Sequence, residues 1–308
     1  MLQLTNPKHL PEDFADTAVA IGKFDGIHLG HQQLIHELVE LSEEAGLAAA
    51  ILTFDRHPRS VLNPSSTPAP LIGPVQKAEL LEEAGVDVVL TATFDHDMAD
   101  LTPEEFVLSY LVPLRARYVM VGQGFRFGKG GQGDISDLRS LGQKHGFRAK
   151  EVENVMLGDQ KISSTRIRQL LDLGLVAEAA VMLGRNHVTT GVVEHGRKLG
   201  RTIGFPTANI SRAAEGYLPA DGVYAGYLIA DGTRYPAALS VGTNDSVAEV
   251  PRLLESHVIG RDDLDLYEKV VSNEYVAKVR GWAKFESMDA LVEQIAKDVS
   301  VAAEILGE

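Results

Sequence analysis

The sequence predicts an α/β domain followed by a small all-β domain, and three observations carry that division. Through the first half, short apolar runs alternate with amphipathic stretches at helical spacing, the pattern of a doubly wound parallel sheet. From about residue 185 the apolar segments become short, alternating and punctuated by Gly and Pro, the pattern of a small antiparallel β-barrel. A chain of 308 residues, 44% hydrophobic and 23% charged, has apolar material for two cores. The expected domains are 1–184 and 185–308, with the boundary near Leu183–His187.

Each element has its own signal. TAVAIG (17–22) reads as a buried strand. Residues 31–45 read as a helix, because Leu34, Leu38 and Leu41 share one face and Gly46 follows as a stop. LAAAILTF (47–54) is a second strand, a helix is expected around Gln76–Ala84, and VDVVLTATF after Gly85 is a third strand. Pro103 opens a helix over 103–111, at the position where proline is tolerated. RYVMVG (117–122), a helix over 134–145 and a strand over 147–153 complete the first domain. In the second, HVTTGVVEHG, GVYAGYLIA, TRYPAALSVG, RLLESHVIG and EKVVSNEYVAKVRGWAKF read as strands, and a helix over 287–306 closes the chain.

Composition removes several classes. Without cysteine, disulfides, thiolate catalysis and Cys-ligated metals are excluded. No apolar run reaches the roughly 20 residues that span a bilayer. The N-terminal residues lack a basic region followed by an apolar stretch, so no secretory signal is expected and a cytoplasmic protein is the simplest reading. The net charge of −14, with no basic run, argues against a nucleic-acid partner. There is no P-loop of the G-x-x-x-x-G-K-[ST] type.

Two constellations carry chemistry. GKFDGIHLGH (22–31) follows the first buried strand and contains His28 and His31 as H-x-G-H. At a strand-to-helix turn, unpaired backbone N–H groups and the positive helix end favour a phosphate, and two imidazoles there can donate to one triphosphate. ISSTRIR (162–168) adds hydroxyls, one of them expected to cap the following helix, and Arg166 and Arg168 for a phosphate grip. In the second half, GRTIGFPTANI (200–210) places Thr207 and Asn209 two apart on one side of an extended segment. Hard oxygen ligands of that kind suit Mg²⁺ on ATP phosphates. GKGGQG (128–133) spells a dinucleotide fingerprint, but it starts six residues beyond the strand and reads as a flexible surface loop.

An early H-x-G-H with a late S-S-T-x-x-R resembles the nucleotidyltransferase superfamily, whose first domain is Rossmann-like. TFDRHP (53–58) and VGQGFRFG (121–128) resemble its flavin branch, and the PTAN motif resembles riboflavin kinases. LPADGVYAG (218–226), DLDLYEK (263–269) and KVRGWAKFESMDALVEQIAKD (278–298) are similar to further segments of the same bifunctional family of riboflavin kinases and FMN adenylyltransferases. The resemblance covers residues 15 to 305 in the right order. It implies phosphorylation of riboflavin to FMN, with release of ADP, and adenylylation of FMN to FAD, with release of pyrophosphate. ATP is the co-substrate and Mg²⁺ the cofactor, in a monomer or weak homo-oligomer.

By that resemblance ATP is bound in the first domain by Gly22, Phe24, Asp25, His28, Gly30, His31, Ser164, Thr165 and Arg168, with His28 and His31 catalytic. The flavin is bound there by His57, Pro58, Phe125 and Phe127. In the second domain ATP is bound by Gly200, Arg201, Gly204, Pro206, Thr207 and Asn209, with Thr207 and Asn209 on the metal and Glu255 as general base. Four departures stand out. Arg56 replaces a usual Pro, Gly124 a usual Asn or Asp, Lys23 a small apolar residue, and Asp245-Ser246-Val247 the P-T-F after SVGTN. The alternatives are a chain with one live activity, or a non-catalytic flavin-binding paralogue. An aminoacyl-tRNA-synthetase-like protein sharing H-x-G-H fails on length and acidic charge.

Overall fold

The apolar runs of the first half become strands β1 (Leu2–Leu4), β2 (Thr17–Ile21), β3 (Ala48–Phe54), β4 (Val88–Ala92), β5 (Ala116–Gly122) and β6 (Arg148–Val152). All pair in parallel, in the order β1-β4-β3-β2-β5-β6. Beside them run helices α1 (Leu29–Ala45), α2 (Arg59–Leu62), α3 (Pro74–Glu83), α4 (His96–Asp100), α5 (Pro103–Phe106) and α6 (Ile135–His145). Every residue of β2 is buried, as a central strand covered on both faces requires. Strand order reverses at β2: β3 lies on one side, β5 on the other. The crevice at the carboxyl ends of β2 and β5 is therefore the switch point where open α/β sheets bind ligands.

The computed structural model describes residues 1–8, 10–195, 200, 203–243 and 252–308, with Ser66 described for its backbone alone. The chain divides into two compact units, Met1–Ala69 with Pro74–Ile162, and Pro70–Gly73 with Ser163–Glu308. Side chains from one face of the sheet, among them Val19, Leu52, Leu90 and Val121, pack with Phe106 and Leu138 in a core of the first.

Local rules explain most boundaries. α1 stops at Gly46 in the left-handed conformation (φ 65°). α5 starts at Pro103 behind a Thr102–Glu105 capping box. The expected 103–111 helix continues past Phe106 as a π-helical turn over Val107–Leu111. Strand β1 was not expected; three residues are too few to show alternation, and the strand exists through pairing with β4 (Leu2↔Val88). The 128–133 segment is a surface loop with anchors at its base. Phe127 and Gly133 bridge across its base, Lys129 pairs with Asp100 at 2.9 Å, and a methyl at Gly128 would come within 2.8 Å of Pro103.

A short antiparallel hairpin of β7 (Met156–Leu157) and β8 (Gln160–Lys161) follows β6 in the first unit. In the second unit, β9 (His187–Glu194), β10 (Ala208–Ile210), β11 (Gly222–Ala230), β12 (Thr233–Gly242), β13 (Leu253–Val258) and β14 (Val270–Gly281) close an antiparallel barrel in the order β10-β13-β12-β11-β14-β9. Helices α7 (Ser164–Asp172), α8 (Val176–Leu183) and α9 (Met288–Leu306) belong to this unit. Among the described residues no helix is long and apolar enough to cross a membrane.

The barrel buries polar groups in pairs, as burial demands. Thr189 lies 3.2 Å from the Tyr275 hydroxyl, and Ser256 donates to Asn273 at 2.5 Å. Buried His187 stacks on Tyr275 and bonds the Tyr217 carbonyl at 2.5 Å. Burial, opposed by that bond, pushes the His187 imidazole down from 6.5 to about 4. The unfolded chain protonates this ring near 6.5 and the folded unit only near 4, so stability falls as pH drops through that window. Urea titrations of parent and His187→Gln between those pH values should find a shallower pH slope in the variant.

Candidate functional site

The first site is built on the loop between β2 and α1. Phe24 and Ile27 adopt positive φ (47° and 38°), which turns the chain sharply at the sheet edge. Phe24 is fully buried and its ring lies 3.1 Å from where a side chain on Gly22 would begin. Phe24 therefore packs the loop down, with its ring centroid 5.3 Å from that of His31.

His28 is the N-cap of α1. Its Nδ1 accepts the His31 N–H at 3.4 Å, so the neutral ring carries its proton on Nε2. The His28 and His31 rings stack at 3.8 Å, 12° from parallel. A methyl at Gly30 would sit 3.3 Å from the His28 ring, which is why that position is bare. His31 Nδ1 is buried with no hydrogen-bond partner. Burial first, then the neighbouring His28 and the charges of Lys77, Lys23 and Lys161, hold the His31 imidazole well below its usual range. At neutral pH it is an uncharged ring whose buried nitrogen still needs a partner.

The flanking groups are ordered. Lys77 donates to the Lys23 carbonyl at 3.0 Å, and burial lowers its ammonium with Asp25 opposing. Lys23 Nζ lies 3.1 Å from His57 Nε2, and His57 Nδ1 accepts the Arg59 N–H at 3.1 Å. Pro58 begins α2. Arg56 is tied to Asp55 at 2.8 Å, and Asp55 also accepts the Phe94 N–H at 3.0 Å; the unusual residue completes a surface pair.

Gly124 has φ 80° in a turn closed by Phe125 N–H to the Gly122 carbonyl at 3.1 Å. Gly, Asn and Asp are the residues that tolerate this conformation, so one backbone demand covers both the usual residues and this one. Phe127 is in the core, stacked at 5.7 Å on the half-buried Phe125.

The S-S-T segment opens α7 in the second unit. Ser163 is the expected cap, accepting the Arg166 N–H at 3.3 Å, with Ser164 and Thr165 in the first turn. Arg168 is buried, and Arg166 Nε is buried with no hydrogen-bond partner.

The second site is a cavity of about 1180 Å³ against the barrel wall, lined by Gly200, Thr207, Asn209, Glu255 and His257 from the barrel side and by Leu291, Ile295 and Val299 of α9. Glu255 and His257 alternate with buried Leu254, Ser256 and Val258 and so point away from the barrel core. Register sets one row across four strands: Glu194 opposite Asn209, Asn209 opposite Glu255, Glu255 opposite Ser240. Directly opposed side chains of one face are neighbours, and all four line the cavity.

The Gly200 carbonyl accepts the Ile203 and Phe205 N–H groups at 3.2 and 2.8 Å, Gly204 has φ 86°, and the Pro206 carbonyl bonds His257 at 2.8 Å. Arg201 and residues 245–247 lie outside the described residues.

Residues 278–298 read as motif letters in the sequence and have a mechanical purpose here. Arg280 Nε donates to Asp298 at 2.8 Å, its NH2 pairs with the other carboxylate oxygen at 2.7 Å, and Gln294 donates to Asp298 at 2.8 Å. The Arg280 guanidinium lies 5.5 Å from the Phe285 ring centroid. This clamp fixes α9 against β14 and so the outer wall of the cavity. Lys77, Glu194, Ser240, His257 and the clamp were not singled out from sequence; a lone charge or a lone strand residue carries no periodic signal.

Comparison with known proteins gives a consistent picture. A family model described as FAD synthetase matches residues 10–166, and one described as riboflavin kinase matches residues 183–306. The bifunctional riboflavin kinase/FMN adenylyltransferase of Bacillus subtilis (strain 168) is 35% identical over 302 residues, covering 96% of this chain and 95% of the relative. The protein of the same description from Escherichia coli (strain K12) is 36% identical over 291 residues, covering 94% and 92%. A crystal structure described as a macrolide-efflux protein from Streptococcus pneumoniae superposes with a TM-score of 0.88 at 30% identity, covering 98% of each chain.

Two stability outcomes follow. Asp298→Ala leaves the Arg280 guanidinium without its carboxylate and should destabilise the second unit by about 3 kcal/mol, read as a lower urea midpoint. Glu268 occupies φ 64° in the turn closed by Lys269 N–H to the Leu266 carbonyl at 3.2 Å, a conformation that favours glycine. Glu268→Gly should raise stability by about 1 kcal/mol, read in the same titration.

Proposed function

The chain belongs to the family of bifunctional riboflavin kinase/FMN adenylyltransferases, and from that membership we propose that it makes FMN from riboflavin and FAD from FMN, using ATP in both reactions. The observation that carries the reading is that one chain holds two separate sites suited to phosphates: a stacked histidine pair at a sheet switch point and an oxygen-lined cavity on a barrel. We assign adenylyl transfer to residues 1–184 and riboflavin phosphorylation to residues 185–308. The protein is assigned to the cytoplasm, acts on small molecules rather than nucleic acid, and works as a monomer or weak homo-oligomer.

In the first reaction an FMN phosphate oxygen bonds to the α-phosphorus of ATP as the bridge to the β-phosphate breaks and pyrophosphate departs. No covalent enzyme intermediate is needed, so positioning and charge stabilisation do the work. His28, capping α1 through Nδ1, has Nε2–H to donate to a phosphate oxygen, and His31 has a buried nitrogen in want of a partner. The unpaired N–H groups at the start of α1 add to the cradle. Gly22, Phe24, Asp25 and Gly30 shape that loop, and Ser164, Thr165 and Arg168 are assigned the remaining ATP phosphates. His57, Pro58 and Phe125 are assigned the flavin side; Phe127, buried in the core, supports Phe125 from below.

In the second reaction the riboflavin 5′-hydroxyl oxygen bonds to the γ-phosphorus and ADP departs. Glu255 is assigned as the base that accepts the hydroxyl proton; it stands directly opposite Asn209 in the barrel register. Thr207 and Asn209 fit a hard cation: both line the cavity, and Asn209 Nδ2 faces the Thr207 carbonyl at 3.5 Å, which leaves Oδ1 available. Mg²⁺ held there would neutralise charge on the ATP phosphates. Gly200, Gly204 and Pro206 form the turn that presents them.

Purified protein incubated with riboflavin, ATP and Mg²⁺, and separately with FMN, ATP and Mg²⁺, should give FMN in the first mixture and FAD in the second by chromatography. His28→Ala should lower FAD formation at least about 100-fold and spare FMN formation. Glu255→Gln should do the reverse when FMN is supplied. Equal loss of both activities in either variant would overturn the division into two sites.

A further inference from the structure

The loop after β2 and the segment after β3 meet at one side chain that the histidine motif does not account for. Lys23 lies between Gly22 and the buried Phe24, and its carbonyl is fixed from two directions, by Thr53 Oγ1 at 3.2 Å and Lys77 Nζ at 3.0 Å. Its ammonium reaches across to His57 Nε2 at 3.1 Å. Strands β2 and β3 are parallel neighbours, so both segments leave the sheet at its carboxyl edge. Lys23 therefore spans from the motif assigned to ATP to the segment assigned to the flavin. Lys77 supplies a second ammonium held to the same backbone, and the charges of both reach the His31 ring.

The chemistry of the reaction needs a cation at that junction. A phosphate dianion must approach a second phosphate that is itself anionic, and the two repel over the last few ångströms. A lysine between the two binding segments offsets that repulsion without touching the leaving group. At position 124 the turn carries a bare glycine, so the site has no side-chain polar group there to share this task.

Resting on the adenylyl-transfer reading above, we propose that Lys23 is a phosphate-binding residue of the first site, holding the phosphate of the incoming flavin nucleotide beside the histidine pair. The ammonium lies beside the His57 ring, and Lys77 fixes the backbone that carries it. The preferred acceptor substrate is then a flavin bearing a terminal phosphate dianion.

The test uses the full-length protein and steady-state FAD formation with FMN and ATP varied in turn. Lys23→Gln should raise the KM for FMN about 10-fold, the effect of losing one charge-assisted hydrogen bond, with a much smaller change in the KM for ATP. Lys23→Arg should recover most of the loss. Added salt should raise the FMN KM of the parent more steeply than that of Lys23→Gln. The rate of riboflavin phosphorylation, measured on the same preparations, should be the same in all three proteins and so reports intact folding. An FMN KM in Lys23→Gln within twofold of the parent would overturn the proposal, as would a rise confined to the KM for ATP. A parent that forms no FAD from supplied FMN would overturn the underlying assignment, a failure distinct from an unresponsive lysine.

Discussion

The start of a helix leaves backbone N–H groups without partners, and this chain fills that need with a histidine. His28 caps α1 through Nδ1, and in doing so it fixes its own tautomer and brings its ring onto His31. The bare Gly30, the buried Phe24 under Gly22 and the positive φ of Phe24 and Ile27 all serve this arrangement. One capping bond thus joins local helix chemistry to the proposed phosphate site, and the parallel sheet delivers it to the point where strand order reverses.

The barrel solves the same problem by other means. Its row of polar groups comes from pairing register. Once β10 lies between β9 and β13, Glu194, Asn209, Glu255 and Ser240 must fall in one row. The closed interior is occupied by Tyr224, Tyr275 and their polar partners, so chemistry is confined to the outward positions, and the Arg280–Asp298 clamp supplies the missing wall.

Much of this was legible in the residues. Strands flagged by apolar runs of five or more residues appear at their expected places, as do caps written by Gly46, Pro103 and Ser163. What escaped was of two kinds. Short elements such as β1 exist only through a partner strand, and no pattern marks them. Polar neighbours such as Lys77, Ser240 and Glu194 join their sites through tertiary register, which a linear reading does not contain. The turn at Gly124 lies between: its residue stood out in the sequence, and only the backbone angle gave the reason.

Closure of the barrel has a further consequence for behaviour in concentrated solution. Among the described residues the six strands of the second unit close into a ring, and closure removes the edge strands that another copy would use for strand addition. The first unit's sheet does end in two rims, and each is blunted. β1 is three residues long, and β6 carries Arg148, Lys150 and Glu151 within its five. Charged side chains on a short rim oppose edge-to-edge joining. The architecture is thereby one that resists fibrillar association.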